Sequence, residues 1–471
     1  MTFRASDIMS SKAFLYRWVH NMLDTRHAVR LASVAMTALL STGLAACHGL
    51  LDVSDPTVIQ DKDAASAAGA NSRRLNVVLT FTQKMNFVTH EAALFSDERT
   101  YNPLTAQLSG LPAYGSYAYD LDRHDDIALT QYAALVSQDK HLAALDEIFS
   151  KSSLAVAAMR AYGTSGLKGE YLAQLFSIRA YVVLQMAEDI CPGFPINDIS
   201  TDNVAVYSGP YSYTDAVTYA LAQADSALAN GRDSARFVNF ARVVKGRALL
   251  DLGRYADADT VVAPVLTAYA YQTDATGGFA ANYFFLQYDP NEGYYTPVGD
   301  RKGGNGLSFV SAHDPRVLTA FLDFDPVYTT DSMFAQEKYP DYTVPITVAS
   351  GIEARLIQAE AALHEPNPAR AFAILDTLRS TVGLGALTVP STLDAQADTL
   401  YKERAFWLYL TGRRLGDMRR LIRNYGRSEE TVFPTGSHRF GDSYGTGTAI
   451  PFTLQVQSKY NPHITAGCTT P

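Results

Sequence analysis

Apolar residues recur at three- and four-residue intervals over most of this chain, the periodicity of amphipathic helices. The pattern runs over 64–96, 126–162, 168–190, 213–230, 238–265, 350–383 and 394–425. Within one of these stretches, Ile352, Leu356, Ala359 and Leu363 make an apolar stripe. Glu353, Arg355 and Glu360 are expected on the opposite, polar side. Short linkers in the middle of the chain predict antiparallel helix neighbours. No comparable series of alternating strands appears, so the predicted class is mainly α.

One helix pair carries a repeat signature. In KGRALLDLGRYADADTVVAPV, Gly246 lets two helices approach, Gly253 opens a turn, and Tyr255 and Ala258 fill the seam. The spacing matches the tetratricopeptide pattern G-x-Y-x-x-A, with a small residue seven positions before the glycine. The stretch 353–378 has related character, with Ala359 at the close-packing position. Two or three such units predict a short helical scaffold, not a long solenoid.

Between roughly 266 and 345 the texture changes. Gly277-Gly278, Gly303-Gly304, Gly306 and several prolines break any regular pattern. Tyr283, Phe284, Phe285, Tyr288, Tyr294 and Tyr295 crowd into the same region, and Tyr114, Tyr117 and Tyr119 form an earlier aromatic loop. Long irregular loops on a helical scaffold are where binding concentrates. Tyrosine joins a flat apolar face to a polar tip, which suits sugars and other polar ligands. The candidate ligand contacts are therefore Tyr283, Phe285, Tyr288, Tyr294 and Tyr295, helped by Tyr114 and Tyr117. Of the 28 tyrosines, most are expected to pack in helix interfaces.

Near the N-terminus the pattern is of another kind. Leu31 to Ala46 (LASVAMTALLSTGLAA) is uncharged and apolar or small throughout, with Arg26 and Arg30 before it and Cys47 directly after Leu44-Ala45-Ala46. A basic front, an apolar run and a small-residue cleavage site make a secretory signal. Cysteine at that junction is the pattern of a lipoprotein signal, in which the Cys47 thiol is acylated. The run is too short, and too rich in Ala, Ser and Thr, for a comfortable membrane span. Starting at Met22 would give a signal of ordinary length. The expected organisation is a signal at 1–46, a lipid-anchored tether at 47–62 and one helical domain at 63–471.

Composition then narrows the function classes. The first 46 residues hold five basic and two acidic side chains, so of 39 and 48 in all, 34 and 46 remain, a formal charge of −12. An acidic body argues against nucleic acid and against anionic lipid surfaces as partners; the lipid supplies the membrane attachment. A protein outside the cytoplasm has no ready ATP or NAD, and no cofactor is expected. Of three cysteines, lipidation of Cys47 leaves Cys191 and Cys468 as one pair in an oxidising compartment. A Cys191–Cys468 disulfide is predicted, with two free thiols as the alternative.

Catalytic signatures are missing: no H-E-x-x-H, no phosphate loop and no G-x-S-x-G elbow. Gly303-Gly304-Asn305-Gly306 lacks the flanking strand and helix of a dinucleotide site and is expected to be a flexible loop. Asp120, Asp122, Asp125 and Asp126, with His124, form an acidic segment without the glycine and terminal glutamate of a helix-loop-helix calcium site; no metal is expected. Arg413, Arg414, Arg419, Arg420 and Arg423 are read as ties between helix ends and loops, with Arg413 and Asp417 four apart on one helix.

The order of motifs in the mature chain resembles that of the SusD/RagB family of nutrient-binding outer-membrane lipoproteins. The resemblance rests on Arg355-Leu356-Ile357-Gln358-Ala359-Glu360-Ala361, Leu375 to Arg379, Gly383-Leu384, Tyr401, Glu403-Arg404, Gly412, Arg414, Asp417 and Arg419-Arg420. Phe433-Pro434, Ile450-Pro451 and Asn461-Pro462 follow, with Leu51-Asp52-Val53 and Asp314-Pro315-Arg316 upstream. Trp407 and Thr411 depart from the family's usual glutamates, and Asn461-Pro462 comes late. The resemblance implies a SusD-like helical scaffold on the outer face of the outer membrane, partnered with a TonB-dependent SusC-like transporter, and binding oligosaccharides or other nutrients without catalysis. The alternatives are a tetratricopeptide-type envelope scaffold that binds other proteins, and a glycan hydrolase.

Overall fold

The computed structural model describes residues 65–100, 132–231, 234–273, 282, 284, 288–289, 294–295, 298–324, 332–437, 443–452 and 454–468. Three long helices come first: α1 (Ala67–Phe95), α2 (Tyr132–Tyr162) and α3 (Lys168–Asp189). A short hairpin, β1 (Asp198–Ile199) with β2 (Ala205–Val206), precedes α4 (Tyr213–Asn230), α5 (Ala235–Asp251) and α6 (Tyr255–Val262). The loop-rich middle contains β3 (Ala270–Gln272), β4 (Tyr288–Asp289), β5 (Tyr294–Tyr295), β6 (Thr319–Phe324), β7 (Ser332–Gln336) and β8 (Thr347–Ser350). The C-terminal part comprises α7 (Gly351–His364), α8 (Pro368–Ser380), α9 (Leu393–Trp407), α10 (Arg414–Tyr425), α11 (Glu429–Val432) and α12 (Leu454–Tyr460). The strands pair antiparallel as β1–β2, β3–β8, β4–β5 and β6–β7, so the architecture among the described residues is mainly α, as its sequence pattern predicts.

Five helix starts follow capping chemistry. Ser66, Ser212, Ser350, Asn367 and Thr392 each accept a hydrogen bond from the backbone N–H three residues on, satisfying a donor that the helix leaves open. The periodic stretches at 238–265, 350–383 and 394–425 are each interrupted by a turn, giving the hairpins α5–α6, α7–α8 and α9–α10. At the first of these turns Gly253 has φ +69°, a left-handed conformation that a residue with a Cβ resists.

α3 is the centre of the first half. From Leu172 to Asp189 every residue is buried, as expected of a helix enclosed on all sides. Polar side chains along it pair with neighbours: Gln185 Nε2 donates to Asp189 Oδ2 at 2.8 Å and to the Gly412 carbonyl at 3.1 Å. A large core joins α1 through α6 with parts of α7 and β8, and smaller ones lie among α7–α10 and around Phe309, Tyr339, Phe406 and Tyr409.

Two sequence expectations are corrected. Glu353 and Glu360 are buried, not on a solvated face: α7 is enclosed, and its acids face arginines of other helices. The glycine segment is packed, not a free loop. Lys302 Nζ is buried and donates to the carbonyls of Leu94 (2.6 Å), Ser96 (2.9 Å) and Arg99 (3.1 Å), closing the open C-terminal end of α1. A Cβ on Gly303 would lie 2.5 Å from the Thr435 amide nitrogen, so backbone packs directly on backbone there.

Candidate functional site

The aromatic segment springs from a fixed base. On one side, Asn282 N–H donates to the Tyr342 carbonyl (2.7 Å) and Asn282 Nδ2 to the Val344 carbonyl (2.7 Å). Phe284, the next described residue, is fully buried and stacks on Tyr339 with ring centroids 5.3 Å apart. On the other side, Val298 pairs with Arg99 and donates to the Phe334 carbonyl at 2.8 Å. The hairpin β4–β5 lies between these anchors, and its register sets Tyr288 opposite Tyr295 and Asp289 opposite Tyr294.

Three of the predicted contacts, Tyr288, Tyr294 and Tyr295, are thus brought together by backbone pairing. Tyr283, Phe285, Tyr114 and Tyr117 lie outside the described residues, as do Cys47 and the acidic segment with Asp120, Asp122, His124, Asp125 and Asp126. Phe284, equal to its neighbours by composition, belongs to the core. Cys191 and Cys468 are joined in a disulfide, with Cα atoms 5.4 Å apart, next to the pairing of Ile190 with Ile450. Among the described residues no group of three or more His, Cys, Asp or Glu is placed to hold a metal ion, and no helix is long and apolar enough to cross a membrane.

Arg404, Arg413, Arg419 and Arg420, with Glu353, Glu360 and Asp417, form an interior network among α7, α9 and α10. Arg420 reaches Glu360 (2.8 Å), Asp417 (2.8 Å) and Asp251 (3.2 Å) while Nε also donates to Tyr401 OH at 3.0 Å. Arg404 makes a two-pronged pair with Asp417, both bonds 2.8 Å. Asp417 therefore answers Arg404 and Arg420, not Arg413 as the four-residue spacing would have it. Arg413 stands just before the first residue of α10, makes no side-chain cap there, and turns to Glu353 (3.3 Å) and Tyr181 OH (2.8 Å). Arg419 donates to the carbonyls of Ala187, Glu188 and Ile190, closing the end of α3. Arg316 holds Asp314 (2.7 Å) and Glu403 (2.5 Å) and lies over the Trp407 ring at 5.2 Å. Burial opposes ionisation of Asp417, but the charges of Arg404 and Arg420 outweigh it and hold the carboxyl below its ordinary range.

Other buried groups had no signal in the sequence. Burial pushes the Glu98 carboxyl up to about 8 despite a hydrogen bond from Leu410 N–H, and pushes Lys338 down to about 8, partly offset by Glu98. Burial raises Glu91 to about 8, with the charge of Lys140 opposing. These groups lie on and near the last turns of α1, a helix whose pattern marks its apolar stripe and not its enclosed end.

No family model matches the sequence, and no curated protein does either. Solved structures do. A SusD superfamily protein from Bacteroides thetaiotaomicron aligns with a TM-score of 0.60 at 12% identity, covering 86% of this chain and 100% of that one. A putative sugar binding protein from Bacteroides vulgatus aligns at 0.59 and 13% identity over 84% and 97%. NanU of B. fragilis aligns at 0.57 and 10% over 88% and 99%. The chain has the SusD-like fold. At identities this low the shared quantity is the path of the backbone. In this SusD-like chain the interior arginine network and the anchored aromatic hairpin are features of its own coordinates.

Proposed function

We propose that this chain is a non-catalytic, lipid-anchored nutrient-binding protein of the SusD/RagB type, displayed at the outer membrane, which captures a glycan and passes it to a TonB-dependent SusC-like transporter. The observation that carries the reading is the SusD-like fold aligned over most of the chain, with matched proteins described as sugar binding or carbohydrate binding. The lipoprotein signal ending at Cys47 supports the location, and the register that sets Tyr288 opposite Tyr295 supports the aromatic hairpin as the ligand platform. A tyrosine face stacks on the apolar face of a sugar ring, while amide and carboxylate groups meet its hydroxyls.

The test is calorimetric titration of the purified protein, with Cys47→Ser to remove the lipid, against a panel of oligosaccharides. Saturable binding with unchanged ligand is expected. The double substitution Tyr288→Ala and Tyr295→Ala should weaken it about tenfold or more, since each ring is worth about 0.5–1.5 kcal/mol beyond its buried area, and should leave Tm unchanged. A fall in Tm would place the two rings in the core. Silence across the panel together with capture of the transporter would favour the scaffold reading, and appearance of shortened glycans would make the protein an enzyme.

A further inference from the structure

A cleft of about 290 Å³ opens between α9, α10, α11 and the turn after Lys302. Its size is at the small end for ligand sites and suits a solute no larger than a single sugar ring. Leu307, Leu421 and Val432 give it apolar walls, while Lys402, Arg414 and Arg427 bring three cations to its lining. Among the described residues that line it the one carboxylate is Asp398, and Arg427 Nη2 donates to it at 2.8 Å.

The other two cations are left with donors to spare. Asp97 grips Arg414 from one side, taking Nε at 2.6 Å and Nη2 at 2.9 Å, and is itself fixed by the Leu307 N–H at 2.9 Å. That fork leaves Nη1 without a hydrogen bond among the described residues, on a guanidinium that lines the cleft. Lys402 is exposed on α9, and among the described residues its ammonium joins no ion pair; it lies 5.9 Å from the centre of the Phe406 ring. Arg414 is answered by Asp97, and Arg427 by Asp398 and, at 3.6 Å, by Asp394, so among the described residues Lys402 is the cation of the cleft that no carboxylate meets. A guanidinium pre-oriented by a buried carboxylate presents its remaining donor at little entropic cost.

We propose that this cleft is a second ligand site, separate from the aromatic hairpin, that takes a small solute bearing a carboxylate or phosphate oxyanion. The oxyanion sits between Arg414 Nη1 and Lys402 Nζ, and the apolar face of the solute lies on Leu307, Leu421 and Val432. A sugar acid and a phosphate-bearing solute present the same oxyanion chemistry, and the choice between them belongs to the experiment.

Calorimetry of the purified protein at low salt with D-glucuronate, inorganic phosphate and D-glucose as probes tests the site. Glucuronate or phosphate should bind saturably at one site, and glucose should give no heat. Glucuronate alone binding marks the ligand as a sugar acid; phosphate alone marks it as a phosphate-bearing solute. Lys402→Met should weaken the bound oxyanion about tenfold and Lys402→Glu more, with Tm unchanged because the side chain is exposed. Tyr288→Ala should leave this binding intact, which separates the site from the glycan reading. Equal binding of glucose, no saturation by either anion, or full binding in the Lys402→Glu variant overturns the proposal.

Discussion

Burial decides the protonation of Glu91. Its carboxylate oxygens lie inside the end of α1 with no hydrogen bond among the described residues, His90 Nδ1 standing 3.6 Å off, and its pKa rises to about 8. The unfolded chain would ionise it near pH 4.3. Between these values the folded state holds a proton that the unfolded state has released, so this group's contribution to stability is full in acid and is lost as pH rises from about 4.5 to 8. Glu91→Gln keeps the shape and removes the proton, so the fall in Tm from pH 5 to pH 8 should be smaller in the variant. An unchanged slope, measured by calorimetry across that range, would show that Glu91 is not the group responsible. Asp417 has the opposite sign: its depressed pKa gives stability above the ordinary carboxylate range that disappears in stronger acid. The sequence shows both residues as acids among many, because what separates them is whether a guanidinium meets them in the interior.

At the scale of elements, the seam between α5, α6 and α7 depends on one missing atom. A Cβ on Gly246 would lie 2.5 Å from Val262 Cγ1 and 3.2 Å from Ile357 Cδ1, so any larger residue displaces the Val262 side chain or the helix that carries it. Gly246→Val should destabilise by about 1–3 kcal/mol, the usual range for overpacking, read as a lower urea midpoint. Gly166→Ala is the control, since nothing lies within 4 Å of the added atom. The repeat spacing made this position legible from sequence, as it did Ala258 and Ala359, both fully buried. The enclosure of Glu353 and Glu360 was not legible. A helix with acids opposite an apolar stripe reads as half solvated, and only the arrival of Arg247, Arg413 and Arg420 from distant positions turns that face inward.

For the whole molecule, the Cys191–Cys468 bridge is the longest-range covalent tie, linking the end of α3 to the C-terminal segment across 277 residues. A closed loop of that length restricts the unfolded chain strongly. Cys468→Ser, paired with Cys191→Ser to avoid a free thiol, should cost roughly 2–4 kcal/mol. The loss should show as a lower denaturation midpoint, and adding reductant should shift the parent protein similarly but not the double variant. If the two proteins melt alike, the tail is held by Ile450 and its neighbours without help from the bridge. The sequence by itself determined the helical class and the close-packing glycine, because local periodicity and repeat spacing act within a few residues. It also narrowed the disulfide to one pair, because only two cysteines follow Cys47. Tertiary structure alone decided which arginine meets which acid, that Phe284 is core, that Lys302 closes α1, and that Arg414 and Lys402 share a cleft. Those outcomes depend on contacts between residues up to hundreds of positions apart, and burial, which sets both charge state and pairing, exists only once the chain has folded.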